Sequence, residues 1–112
     1  MAAGNHDIKI DQGSTYNMQI VLEEDGSPID LSNYTFASQI RKSHYAESIA
    51  AQFNTEIVNG PLGAFNIYLT DIQSAALDAS FTYVYDVELT SSGGSVTRVI
   101  EGTVSVNPEV TR

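Results

Sequence analysis

The chain of 112 residues contains no cysteine and no tryptophan. Without cysteine there are no disulfide staples, no thiolate metal ligands and no thiol nucleophile, and the redox compartment is left open. The same two absences remove the disulfide and core tryptophan that mark antibody domains, so an immunoglobulin-like fold here would be a matter of architecture rather than ancestry. No stretch approaches the ~18 apolar residues that a membrane-spanning helix needs. The start, Met1-Ala2-Ala3-Gly4-Asn5-His6, lacks the basic segment and apolar run of a secretion signal, so synthesis in the cytosol is expected. Basic residues are also scarce: five Lys and Arg stand against fourteen Asp and Glu, a formal charge of −9. That balance repels phosphate backbones and anionic lipid, which makes nucleic acid and membranes poor partners.

What the chain does have is alternation. With 42% apolar and 17% charged residues it has a globular composition, and its apolar residues recur with the period of two that belongs to strands with one wet face. Tyr16, Met18, Ile20 and Leu22 point one way, and Glu24-Asp25-Gly26-Ser27-Pro28 then breaks the strand with turn residues. Tyr34, Phe36 and Ile40 are in phase in the next strand, which places Arg41 outside. Lys42 to Ile49 reads as an exposed connection with room for one helical turn, Ala51 to Val58 as a weaker strand, and Asn59-Gly60-Pro61-Leu62-Gly63 as a turn. Phe65, Ile67 and Leu69 alternate inward, with Tyr68 on the other face. Thr70 and Asp71 suit a helix start, and Ile72, Ala75 and Ala76 share one face of a helix of at most two turns.

Phe81 to Leu89 is dense in β-branched and aromatic residues, and Tyr83, Tyr85, Val87 and Leu89 should face the core. Ser91-Ser92-Gly93-Gly94 turns it back into Val96 to Val106, with Ile100, Val104 and Val106 on one face and Gly102 marking a bulge or a close backbone approach. With Asp7-Ile8-Lys9-Ile10 this makes about seven strands and one short helix, the count that suits an antiparallel β-sandwich of immunoglobulin-like architecture. The expected organisation is an N-terminal arm at residues 1–6, one domain at 7–107 and a C-terminal tail at 108–112. Deleting residues 1–6 should, on that division, leave the fold intact.

Catalytic chemistry finds little to stand on. His6 and His44 are the residues able to act as bases near neutral pH, one in the arm and one in the polar connection, without a nucleophile close by in sequence. Ser91-Ser92-Gly93-Gly94 lacks the flanks of a nucleophile elbow and reads as a hairpin turn. The glycines at 60, 63, 93, 94 and 102 form no phosphate-cradling loop ahead of a helix. Glu23-Glu24-Asp25 offers oxygen ligands, but its spacing matches no calcium loop. Of six tyrosines, Tyr16, Tyr34, Tyr83 and Tyr85 are in phase with core residues, leaving Tyr45 and Tyr68 as surface aromatics. An adhesion or sugar-binding role would need those two rings on one exposed face. No catalytic, cofactor-binding or metal residue is assigned, and no cofactor or small-molecule substrate is expected.

The order of motifs resembles a phage family. Gln12-Gly13-Ser14-Thr15-Tyr16 leads into a long strand, followed by Glu24-Asp25-Gly26-Ser27-Pro28-Ile29-Asp30-Leu31-Ser32 and a strand ending in Ile40-Arg41. Gly63-Ala64-Phe65-Asn66-Ile67, Tyr83-Val84-Tyr85-Asp86-Val87-Glu88-Leu89 and Glu101-Gly102-Thr103-Val104-Ser105-Val106 continue the layout. Over nearly its whole length the chain is similar to phage baseplate upper protein N-terminal domains and related small phage virion structural proteins. The resemblance implies a non-enzymatic part of a virion, made in the host cytoplasm, in the tail, baseplate or neck or on the capsid exterior as a decoration protein. Its partners would be other virion proteins and copies of itself. On that expectation His6, His44, Tyr45, Tyr68, Val110 and Arg112, in the loops, the ends and the exposed aromatics, are the candidate protein-interface residues.

Overall fold

A computed structural model describes residues 4–111. Within them the chain is mostly strand: β1 (Gly4–Asn5), β2 (Ile8–Asp11), β3 (Tyr16–Val21), β4 (Glu23–Glu24), β5 (Ser27–Pro28), β6 (Thr35–Arg41), β7 (Ala51–Gln52), β8 (Asn54–Asn59), β9 (Ala64–Leu69), β10 (Thr82–Thr90) and β11 (Val96–Asn107), with one helix, α1 (Asp71–Ala75). The larger sheet runs β1-β11-β10-β6-β7, with β2 also paired to β11. The smaller sheet is β3-β9-β8, and β4-β5 form a separate hairpin. Each of the seven expected strands is present. The additional strands are two-residue pieces at corners and turns.

The turns follow their residues. Asp25 and Gly26 both have positive φ, 53° and 80°, the pair of left-handed conformations that a tight two-residue hairpin requires. Phe53 is where the expected strand over 51–58 divides. Its amide donates to the Ser38 carbonyl of β6 (2.9 Å) and its ring is buried between Tyr16 and Tyr85, so the chain leaves the larger sheet at Gln52 and enters the smaller at Asn54. The connection from 42 to 50 contains no helix. Arg41 lies on the outer face of β6, as its phase places it, paired with Val84, and its guanidinium donates to the carbonyls of Ala46 and Glu47 (2.9 and 3.1 Å), which staples that loop to the end of β6.

Both sheets contribute to one buried apolar cluster. Ile20, Phe65, Ile67 and Leu69 come from the smaller sheet; Ile8, Ile10, Ile40, Tyr83, Tyr85, Val87, Leu89, Val104 and Val106 come from the larger. Phe36 of β6 and Phe65 of β9 bring their ring centroids to 4.5 Å, and Tyr16 and Tyr85 approach Phe53 at 6.2 and 5.9 Å. Burying side chains of this size contributes on the order of 1.5–3 kcal/mol each, which is why the alternation dominates the fold. The β10–β11 register slips between Val87 and Glu88. Val99 is the extra residue, and both Val99 and Ile100 pack towards the core.

Gly102 is a site of close approach rather than that bulge. A Cβ there would strike the His6 carbonyl, so only glycine lets the N-terminal strand lie against β11. Residues 4–6, expected as a free arm, are therefore part of the larger sheet. Gly4 and Asn5 pair in parallel with Ile100 and Glu101, the His6 amide donates to the Glu101 carbonyl (2.9 Å), and the Tyr85 hydroxyl donates to the His6 carbonyl (2.5 Å). The physical reason is that backbone groups beside a sheet find partners there whatever the side chains are. The C-terminal residues are lightly held: the Glu109 amide donates to Gln12 Oε1 (3.2 Å), while Val110 is 92% exposed.

The face shared by Ile72, Ala75 and Ala76 points to solvent. Thr70 caps the helix in a capping box with Gln73, as its residues foretold, and Ser74 is buried. Ser74 Oγ donates to the Ser14 carbonyl (2.7 Å) and accepts from the Gly13 amide (3.1 Å). A short polar side chain that satisfies two backbone groups of the β2–β3 connection thus outweighs the small apolar face.

Candidate functional site

The outward faces of the two sheets differ in chemistry. On the larger sheet, the register sets Asp86 directly opposite Glu101 and Glu88 opposite Arg98. Like charges across a strand pair repel. Arg98 relieves this by reaching Asp86 at 3.2 Å and Glu101 at 3.5 Å. A groove of about 280 Å³ lies over this network, and Arg41, Ser43 and His44 line its other side. The groove brings His44 into the same surface as three carboxylates. Among the described residues no hydrogen bond or ion pair joins His44 to any of them, and Asp86 and Glu101 are already held by Arg98.

The outward face of the smaller sheet is built from amides. The registers place Asn17 on β3, Tyr68 on β9 and Asn54 on β8 in one row, and Gln19, Asn66 and Glu56 in the next. Glu56 is the one charged residue in the three strands. Asn54 is fixed by donating to the Tyr68 carbonyl (3.3 Å) and to Gln73 Oε1 (2.7 Å). Asn66 Oδ1 is shielded from solvent and has no hydrogen-bond partner.

The edge of this sheet is a third feature. Leu22, in continuation of the β3–β9 register, donates to the Gly63 carbonyl (2.9 Å), so the even-numbered residues of β3 turn their backbone groups towards β9. Asn17, Gln19 and Val21 then direct their N–H and C=O groups away from the sheet. β3 lies at the end of its sheet and carries no charge, proline or glycine. Beside it a slot of about 350 Å³ opens between Met18, Gln19 and Ile20 of β3, Ile100 of β11 and residues 4–6.

The candidate interface residues are dispersed. His6 lies between β1 and β2 with its carbonyl engaged by Tyr85. His44 lines the groove over the larger sheet, and Tyr45 follows it in the loop, 95% exposed. Tyr68 is half-buried on the outward face of the smaller sheet, so Tyr45 and Tyr68 do not share a face. Val110 is exposed near the C-terminus, and Arg112 lies outside the described residues. The amides around Tyr68 were missed in sequence because each reads as an ordinary outward strand position; their grouping follows only from the register of three strands.

Protonation follows burial and hydrogen bonding. Burial raises the Tyr85 hydroxyl well above the usual tyrosine range, with Tyr16 and Asp7 adding to the effect, and burial also raises Tyr16. The exposed Asp30 and Asp78 carboxyls are lowered mainly by hydrogen bonds from Ser32 and Ser80. Compared with family models and with curated proteins, the chain matches neither.

Proposed function

We propose that this protein is a non-enzymatic structural component of a bacteriophage particle, associated with the tail, baseplate or neck, in which the two sheets act as an immunoglobulin-like β-sandwich spacer. The reading is supported by the likeness of the strand and turn motifs to small virion proteins. The observation that carries its mechanism is the β3 edge. Unprotected edges recruit strands from other chains, and proteins that must avoid this place charge, proline or bulges there. Here β2 carries Lys9 and Asp11, β7 is two residues long, and β8 has an irregular register between Ile57 and Asn59. β3 has none of these devices. In the assembled particle an extended segment of a neighbouring virion protein adds to β3, donating to and accepting from Asn17, Gln19 and Val21, and its apolar side chains enter the slot at Met18 and Ile100.

Purified particles of the phage that encodes the chain test this by quantitative mass spectrometry. The protein is expected in fixed stoichiometry with other virion proteins. Val21→Lys, which places a charge on the edge at a position that is already half exposed, is expected to leave the fold intact and lower incorporation. Absence from the particles overturns the reading, and normal incorporation of Val21→Lys overturns the edge mechanism.

A further inference from the structure

We propose that the strand that adds to β3 is β3 of a second copy of this chain, in an antiparallel pair with its two-fold axis at Gln19. The inference deepens the edge mechanism by naming its occupant, and it rests on the open edge described there. Backbone direction fixes the register. Asn17, Gln19 and Val21 direct their N–H and C=O groups away from β9, and antiparallel strands exchange hydrogen bonds between residues so directed. Setting Gln19 opposite Gln19 of the second copy brings Asn17 opposite Val21 and Val21 opposite Asn17, so each of the three meets a residue directed back at it. Sliding the copy by two residues takes one of the three beyond the end of the facing strand.

The side chains agree with that register. On the outward face Gln19 meets itself, and a carboxamide, donor and acceptor at once, is complementary to its own copy. Val21, 53% exposed, gains cover beside Asn17. On the inward face Met18 comes opposite Ile20 of the second copy as a close pair without hydrogen bonds, where its adaptable side chain covers the mouth of the slot.

Charge points to a copy of the chain as the occupant. An isologous contact sets a patch against itself, so any acidic residue near the axis would face its own kind. The chain carries a formal charge of −9, yet β3 holds no acid, and the lining of the slot contains no Asp, Glu, Lys or Arg. Glu23, the first acid beyond β3, falls opposite Thr15. A basic partner would find no complement on this strip, whereas a second acidic chain meets no repulsion there. The contact is small: an edge of six residues buries less than the roughly 1,200 Å² of a stable complex. Dilute copies are therefore monomeric with β3 open, and they pair at about millimolar concentration or as neighbours in an assembly.

Cysteine cross-linking reads the register, because the chain has no cysteine of its own. Facing Cα atoms in such a pair stand about 5.5 Å apart, within disulfide reach, whereas Asn17 lies about 13 Å from Asn17 of the second copy. In a glutathione buffer at about 1 mM protein, Gln19→Cys should form a covalent dimer in several-fold greater yield than Val110→Cys, an exposed reference position. Asn17→Cys and Val21→Cys should dimerise with each other when mixed but not alone. Sedimentation equilibrium of the unsubstituted chain should show a reversible dimer over the same range of concentration, and Val21→Lys should abolish it even if a cysteine variant fails to fold. A chain that stays monomeric at about 1 mM, Gln19→Cys dimers no more abundant than those of Val110→Cys, or Asn17→Cys dimers as abundant as those of Gln19→Cys would overturn the proposal. If Val21→Lys lowers incorporation into particles while β3 does not pair with itself, the edge mechanism stands and this occupant falls; pairing in a protein absent from virions leaves this inference standing while the virion reading falls.

Discussion

The outward faces of the two sheets solve the same problem, staying wet, by different chemistry. The larger sheet uses charge and must then manage it: Asp86 and Glu101 sit opposite one another and need Arg98 between them. The smaller sheet uses amides and an aromatic ring, which need no counter-ion. The difference teaches that a strand's alternation fixes which residues are wet but not what the wet face is for.

The most severe way to break the comparison is to remove what the sheets share. Phe65→Ala, at the fully buried centre of β9 against Phe36, should destabilise the protein by about 3–5 kcal/mol. Chemical denaturation followed separately by tyrosine fluorescence and circular dichroism should show one coincident transition, because both sheets lose the same core. Next in size is the clamp on the N-terminal strand. Gly102→Ala drives a methyl group into the His6 carbonyl and should cost about 2–3 kcal/mol, and it should raise hydrogen exchange in residues 4–8 without comparable change in β8.

Tyr85→Phe removes the donor to that same carbonyl and should cost about 1 kcal/mol. Because burial raises the Tyr85 hydroxyl in the folded state, its contribution is complete below the unfolded tyrosine range near pH 10 and is lost as pH climbs from there towards the folded value. Denaturation measured from neutral to strongly alkaline pH should therefore show a fall above about pH 10 that is reduced in Tyr85→Phe. The smallest effect sharpens the contrast of the two faces directly. Arg98→Met, on a half-exposed pair, should cost about 0.5 kcal/mol and should recover at high salt, whereas Gln19→Ala on the amide face should show no salt dependence in its stability.

Much of this architecture was legible because burial has a period. The inward sets of Phe65, Ile67 and Leu69 and of Tyr83, Tyr85, Val87 and Leu89 follow from alternation alone, and the Thr70 cap and the turn at Asp25-Gly26 follow from local backbone chemistry. Features that depend on partners distant in sequence were not legible. Ser74 is buried because Gly13 and Ser14 come to it, and residues 4–6 are ordered because Gly102 leaves room for them. The candidate surfaces belong to this second group. His44 meets the carboxylates of β10 and β11 across a groove, and the amides gather around Tyr68 only when β3, β9 and β8 are in register.

Hydrogen exchange of β3, compared between the free protein and the particle, tests the central claim most directly. In the free protein the amides of Asn17, Gln19 and Val21 should exchange quickly while Met18 and Ile20 are protected by β9. In the particle all five should be protected, as an added strand requires. Identical fast exchange of Asn17, Gln19 and Val21 in both states would contradict the account.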